Sequence, residues 1–120
     1  VKYKDINSLK FIYDNNKWLQ ETETDMSVPG GAGAIVSTTT DLTAFITALF
    51  DGKLINLISL GNLKTVEGGY GKGIFQKSFY DKTAFGHGGA IDKFCSGLYY
   101  IPNDSVSIAL CCNSGSQLSR

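Results

Sequence analysis

The glycine pair Gly68-Gly69 separates two patterns of apolar residues, and this change of pattern most limits what the chain can fold into. Before it, apolar residues recur at i, i+3, i+4, i+7 and i+8, namely Leu42, Phe45, Ile46, Leu49 and Phe50. This spacing predicts a helix from Asp41 to a stop at Asp51-Gly52. After it come short aromatic and aliphatic segments, bounded by Gly, Asp or Pro, at 70–75, 84–87, 94–101 and 106–112. They predict antiparallel strands, so the expected class is α+β, with helices packed on an antiparallel sheet.

Turn chemistry predicts the remaining elements. Asp14-Asn15-Asn16 lies between two apolar stretches and predicts a short hairpin in the first 25 residues. The segment 54–66 predicts a turn and a short helix ending near Thr65, and 101–105 predicts the turn of a final hairpin. We expect one domain over 1–120, with a hairpin and loop at 1–28, a helical part at 29–66 and strands at 67–113.

Length, charge and hydropathy exclude several classes of protein. The 120 residues suit a single compact unit, and 11 Lys+Arg against 11 Asp+Glu lack the basic excess of a nucleic-acid binder. The longest apolar runs, such as 108–112, are too short to span a membrane. The chain begins with Val1 and an opening without the apolar region of a signal peptide, so we expect a processed, trimmed or partial chain.

The cysteines indicate neither a metal site nor a disulfide framework. Cys95, Cys111 and Cys112 are odd in number and form no Cys-x-x-Cys pair, so no metal or other cofactor is expected and one disulfide is the most the chain could form. Cys95 should lie nearly opposite Cys111 or Cys112 in the final hairpin. Neighbours on a strand face opposite sides, so we expect one of the adjacent pair to be buried.

The segment Phe85-Gly86-His87-Gly88-Gly89-Ala90 is the sharpest candidate for chemistry. It contains the only histidine and three of the 14 glycines. Glycines beside a strand residue remove neighbouring side chains, so a ligand or another backbone could approach the imidazole. The alternative is that the glycines mark a β-bulge or a tight bend and that His87 is merely exposed.

Other catalytic motifs are absent or weak. Gly31-Ala32-Gly33 shares two glycines with a dinucleotide fingerprint, but no strand precedes it, so we interpret it as a loop leading into the helix. The sequence has no Gly-Lys-Ser/Thr, no Gly-x-Ser-x-Gly and no Ser-x-x-Lys.

Taken together, six ordered segments resemble the C-terminal part of the serine β-lactamase and D-Ala-D-Ala peptidase superfamily, in its class C-like, β-lactamase-related branch. They cover about residues 27 to 113: 29–38, Asp41-Leu42 with Phe45, 49–54, 70–73, 86–89, and Pro102-Asn103-Asp104 with the strand to Asn113. The resemblance implies a penicillin-binding-protein-like fold and acyl transfer through a serine ester.

Of the superfamily's three motifs, only the His-x-Gly strand has a match, in His87-Gly88-Gly89. The resemblance implies that His87 holds the substrate carboxylate or tunes the proton network. It further implies that Gly88 and Gly89 leave room for a substrate along the strand, and that the Ala90 backbone N–H is one oxyanion donor. The expected substrate-binding residues are therefore His87, Gly88 and Gly89, and the expected catalytic residues are His87 and Ala90.

Two departures from the superfamily pattern matter. Without Ser-x-x-Lys the chain cannot form an acyl-enzyme, so we expect it to be inactive alone. Tyr13-Asp14-Asn15 matches Tyr-x-Asn formally, but it lies 74 residues before His87 in a strand-and-turn context, and we interpret it as coincidence. The first sheet strands and the closing helix of the fold also have no counterpart. An open sheet edge would follow, which favours a homodimer or strand exchange.

Three functional hypotheses remain. The chain is part of a serine hydrolase acting on D-Ala-D-Ala peptides, β-lactams or small esters; or it is a non-catalytic module that binds a peptide or peptidoglycan stem, or serves assembly, along the His-Gly-Gly strand; or it is a structural fragment without a specific ligand. The expected partner in the complete protein is a small-molecule or peptide substrate, with no nucleic acid and no membrane span. The resemblance implies a periplasmic or secreted location.

Overall fold

A computed structural model of the chain describes residues 11–20, 25, 27–91 and 93–113. Its strands are β1 (Phe11–Asp14), β2 (Lys17–Gln20), β3 (Phe75–Phe79), β4 (Lys82–Ile91), β5 (Phe94–Ile101) and β6 (Val106–Cys112), and its helices are α1 (Thr39–Phe50) and α2 (Leu57–Leu63), with a 3-10 turn at Gly30–Ala32. Helices followed by antiparallel strands confirm the predicted α+β class. None of the helices in the described part of the chain has the length and apolar character that a membrane crossing needs.

Two compact units divide the chain. Of the described residues, the first unit contains those up to Val36, those within 89–96 and those from Cys111 to Asn113, and the second contains 37–88 and 97–110. The expectation of one domain with boundaries after residues 28, 66 and 113 stays a prediction.

The hairpin of β1 and β2 belongs to the first unit and confirms the predicted turn. The strands pair antiparallel from Phe11↔Gln20 to Asp14↔Lys17. Asn15 and Asn16 link them with φ values of 46° and 61°. Positive φ at both central residues of a two-residue turn matches strand twist, and asparagine tolerates that conformation better than most residues. The Phe11 N–H donates to the Asn113 carbonyl at 3.0 Å, which ties the hairpin to the residue after β6.

Helix α1 begins and ends at residues that the sequence marks for those roles. The Thr38 hydroxyl accepts from the Asp41 N–H at 3.1 Å and donates to the Asp41 carboxylate at 3.0 Å. This arrangement satisfies one of the orphan N–H groups of the first turn. At the other end Gly52 has φ +72°, and the Lys53 N–H donates to the Ala48 carbonyl at 2.9 Å. These caps confirm the predicted helix to within two residues.

The end of α1 packs on strands β4 and β5 in the second unit. Its one buried residue is Ile46, at 3% exposure. Phe50 stacks on Tyr100 with 4.5 Å between ring centroids, and its ring lies 6.0 Å from that of Phe85. Helix α2, capped by Asn56 at the Ser59 N–H, adds buried Leu60. The core of this unit therefore lies between the helices and one sheet face.

Strands β3, β4, β5 and β6 lie side by side in chain order. β3 and β4 pair antiparallel from Phe75↔Gly86 to Phe79↔Lys82. The predicted strand over 70–75 is wrong: Tyr70 makes only isolated bridges, and the strand begins at Phe75. The reason is local, because Gly73 has φ +75° and the Gly71 N–H turns back to the Ile74 carbonyl at 2.7 Å. The other three predicted strands are confirmed, and 94–101 and 106–112 match to the residue.

The burial of the thiols differs from the sequence prediction. Cys111 is exposed and Cys112 is half-buried, so neither member of the adjacent pair is buried. The buried thiol is Cys95, at 7% exposure, on interior strand β5. Strand alternation places residues 111 and 112 on opposite faces of β6, but neither face is buried at this end of the strand.

A pH-sensitive turn at Asp25 provides a first test. One Asp25 carboxylate oxygen accepts from the Ser27 hydroxyl at 2.6 Å and from the Ser27 N–H at 3.0 Å, and these bonds lower the pKa of the exposed Asp25. A depressed folded pKa means that the turn is fully stabilised above the ordinary carboxyl pKa and loses that stabilisation as the pH falls through the lower value. We expect the backbone amide resonance of residue 27 to titrate with a midpoint below the ordinary Asp pKa of about 3.9. Ser27→Ala should raise that midpoint, and an unchanged midpoint in this variant would contradict the assignment.

Candidate active-site strand

Strand β4 changes character at His87. Upstream it is a packed sheet strand, with Ala84 at 4% exposure and Gly86 buried. The next four residues, His87 to Ala90, are all exposed. A half-buried strand alternates between covered and open positions, so a run of four exposed residues leaves both faces of this stretch open. The strand is continuous from Lys82 to Ile91 and contains no tight bend at its glycines.

Gly86 is required by the neighbouring strand. A Cβ atom there would overlap the Leu98 carbonyl oxygen and lie 2.6 Å from a Tyr99 ring carbon. Only glycine allows β5 this close an approach. The residue therefore fixes the position of the strand directly before His87.

Both ring nitrogens of His87 have partners. Nδ1 contacts the Gly88 carbonyl oxygen, and Nε2 lies 3.4 Å from the Tyr70 hydroxyl. The Phe75 ring packs on the imidazole at 4.8 Å between centroids and on the Tyr70 ring at 4.4 Å. We call Tyr70, Phe75 and His87 the aromatic cluster. His87 is exposed to solvent, yet its ring is held at both nitrogens and on one flank.

Lys77 places a positive charge beside this cluster. Its Nζ lies 5.9 Å from the Phe75 ring centroid and 5.6 Å from that of Tyr99. Cation–π contacts at exposed sites contribute about 0.5–1 kcal/mol, so they bias where the lysine resides.

The other expected site residues lie along the same strand. Gly88, Gly89 and Ala90 are exposed on β4, and a Cβ at position 89 would lie 3.0 Å from the Ser96 hydroxyl oxygen. Their roles toward a substrate stay predictions. Among the described residues, no group of three His, Cys, Asp or Glu side chains is arranged to hold a metal ion.

Tyr13-Asp14-Asn15 lies in the β1–β2 hairpin and not on a helix, with the Tyr13 ring 4.9 Å from that of Trp18.

The sequence did not predict Tyr70 and Phe75 as neighbours of His87. The register pairs Phe75 with Gly86, the residue before the histidine, and the Phe75 ring reaches the imidazole at 4.8 Å between centroids. The available signal was the run Tyr70-Gly71-Lys72-Gly73, which the sequence resemblance contains without assigning it a contact.

No family model and no curated protein sequence matches the chain. Solved structures do match. D-stereospecific amidohydrolase from Streptomyces sp. is 24% identical with a TM-score of 0.81, and the match covers 92% of this chain and 36% of that one. D-amino acid amidase from Ochrobactrum anthropi SV3, complexed with D-phenylalanine, is 25% identical with a TM-score of 0.71, over 92% of this chain and 38% of that one. Penicillin binding protein from Bacillus halodurans is 18% identical with a TM-score of 0.65, over 90% and 36%.

The chain has the fold of the serine β-lactamase and D-Ala-D-Ala peptidase superfamily. These structures confirm the sequence resemblance, and two of them are hydrolases by name, an amidohydrolase and an amidase. The chain spans well under half the length of each, so it corresponds to a part of a β-lactamase-like serine hydrolase fold. Within that part, β4 contains the His87-Gly88-Gly89 sequence on which the resemblance partly rests.

Proposed function

We propose that this chain is the C-terminal part of a serine hydrolase and that β4 forms the wall of its acyl-transfer site along which the substrate lies. The exposed run His87–Ala90 carries this proposal. A sheet strand open on both faces can accept a substrate backbone on one side and a catalytic segment on the other. The glycines keep the approach clear, and His87 offers a polar group at a fixed position.

In the proposed reaction a serine from another part of the protein attacks the substrate carbonyl, and the carbonyl oxygen becomes an oxyanion. The Ala90 backbone N–H would donate a hydrogen bond to that oxygen, and a second donor would come from the serine's own backbone N–H. The leaving amine or alcohol departs with a proton, and water then releases the acyl group from the serine. His87 would hold the substrate or its proton network beside the strand.

The proposed substrates are amides or esters, with amides of D-amino acids as the leading class. The names of the Streptomyces amidohydrolase and the Ochrobactrum amidase support this choice. D-Ala-D-Ala peptides, β-lactams and small esters belong to the same acyl-transfer chemistry, and we propose that they are tested beside it.

Complementation with the amino-terminal portion that carries Ser-x-x-Lys tests the proposal. We expect that neither part hydrolyses substrate alone. The mixture of the two parts should hydrolyse a chromogenic D-phenylalanine anilide, a β-lactam or an ester. We also expect no covalent adduct by intact mass when the chain alone meets a fluorescent penicillin. An adduct on the chain alone would contradict the assignment of the nucleophile to another part. A stable complex without hydrolysis of any of these substrates would favour a non-catalytic binding module.

Within the complemented protein, His87→Ala should lower kcat/KM by about 10- to 100-fold, since a hydrogen bond to a charged group contributes about 1.5–3 kcal/mol. The matched control is Asn103→Ala, an exposed polar residue in the β5–β6 turn, which should leave kcat/KM unchanged. Equal rates for wild type and His87→Ala would remove His87 from the site.

A further inference from the structure

The two hydrogen-bond partners of the His87 ring indicate which of its nitrogens carries the proton. A carbonyl oxygen can only accept a hydrogen bond, so the contact between Nδ1 and the Gly88 carbonyl requires the proton on Nδ1. In the neutral ring Nε2 is then the acceptor. The Tyr70 hydroxyl, 3.4 Å away, is the group positioned to donate to it.

Tyr70 is itself held by a tightly bonded loop. Tyr70 and Glu67 exchange backbone hydrogen bonds at 3.0 and 3.2 Å, and the Gln76 N–H donates to the Gly69 carbonyl at 2.8 Å. Ile74, at 4% exposure, anchors the same loop in the core. The hydroxyl therefore projects from a restrained backbone, and it can position a neighbour without much loss of entropy.

The ring contacts point the same way. The Tyr70 ring meets the imidazole edge-on, at 74° and 5.9 Å, and Phe75 fills the space beside both rings. Phe75 prevents the imidazole from turning away from the hydroxyl on that flank. Tyr70 is not on β4 and has no role in the site proposed above, so its geometry calls for a separate explanation.

We propose that Tyr70 is a positioning residue that fixes the orientation and the Nδ1–H tautomer of His87, with Phe75 as the packing support. The inference deepens the proposed function, because His87 is the polar side chain of the proposed substrate strand. It assigns the selection of one imidazole tautomer to a residue 17 positions earlier in the chain. Tyr70 acts through His87 and is not a catalytic residue.

The single histidine makes the test direct. In a long-range ¹H–¹⁵N spectrum of the uniformly labelled chain, every imidazole signal belongs to His87. At alkaline pH, where an imidazole is neutral, we expect the Nδ1–H tautomer to dominate in the wild type. In Tyr70→Phe the Nε2–H form should gain population, so the averaged Nε2 resonance should move to lower frequency and the Nδ1 resonance to higher frequency. Tyr80→Phe is the matched control, since Tyr80 is 93% exposed and lies outside the cluster, and it should leave the spectrum unchanged.

A backbone amide spectrum of each variant verifies that the fold is retained. If Tyr70→Phe does not fold, the inference is tested in the wild type. The two observations are then its dominant tautomer and the nuclear Overhauser contacts between the Tyr70 and His87 rings. A dominant Nε2–H tautomer in the wild type, or an unchanged His87 spectrum in a folded Tyr70→Phe chain, would overturn the inference. No substrate enters this measurement, so its failure is distinct from a failure of the proposed hydrolase.

Discussion

Replacement of Gly86 by alanine is expected to destabilise the second unit by about 3 kcal/mol or more. Overpacking a filled site costs about 1–3 kcal/mol and occasionally more, and here the obstacle is backbone. The new Cβ would overlap the Leu98 carbonyl oxygen and lie 2.7 Å from the Tyr99 Cα. Neither atom can move without displacing β5. Urea denaturation followed by circular dichroism measures the loss as a lower midpoint.

The same substitution at Gly61 should have the opposite sign. Gly61 lies inside α2 with nothing within 4 Å of an added Cβ, so alanine there gains about 1 kcal/mol of helix propensity. The pair separates a steric effect from any general effect of removing glycine. A Gly86→Ala chain as stable as the wild type would mean that β4 and β5 are farther apart than the structure places them.

Replacement of Ile46 by alanine is expected to cost about 2–5 kcal/mol, the usual range for emptying a buried aliphatic site. Ile46 is 3% exposed and is the one buried residue of α1. Ile46→Val should cost only about 0.5–1.5 kcal/mol, because most of the volume remains filled.

The adjacent Phe45 is the matched control. Its side chain is larger than that of isoleucine, but 54% of it is exposed, so Phe45→Ala should cost less than Ile46→Ala in the same urea experiment. A larger loss at Phe45 would show that residue 45, and not residue 46, faces the core in solution.

The elements that the sequence predicts well are those set by local chemistry. Helix α1 could be predicted because an apolar period, a threonine cap and a glycine stop all agree. Strands β5 and β6 could be predicted because Pro102 and its polar neighbours mark the turn between them. In each case the deciding residues lie within the element itself or directly beside its ends.

What the sequence does not predict depends on contacts between distant segments. The stretch 70–75 has strand-like composition, but its glycines turn it into a loop that places Tyr70 against His87. Packing between distant segments likewise leaves Phe45 exposed and Cys95 buried. His87 could be singled out from its glycine neighbours, whereas its partners required the β3–β4 register, which composition does not specify.

The position of Trp18 limits what intrinsic fluorescence can report. It is the only tryptophan, it lies in the β1–β2 hairpin, and 61% of it is already in contact with solvent. Tyr13, its ring neighbour at 4.9 Å, lies on the other strand of the same hairpin. Tryptophan emission will therefore record the fraying of this hairpin. Unfolding of the helices and of the strand that carries His87 will change that emission very little.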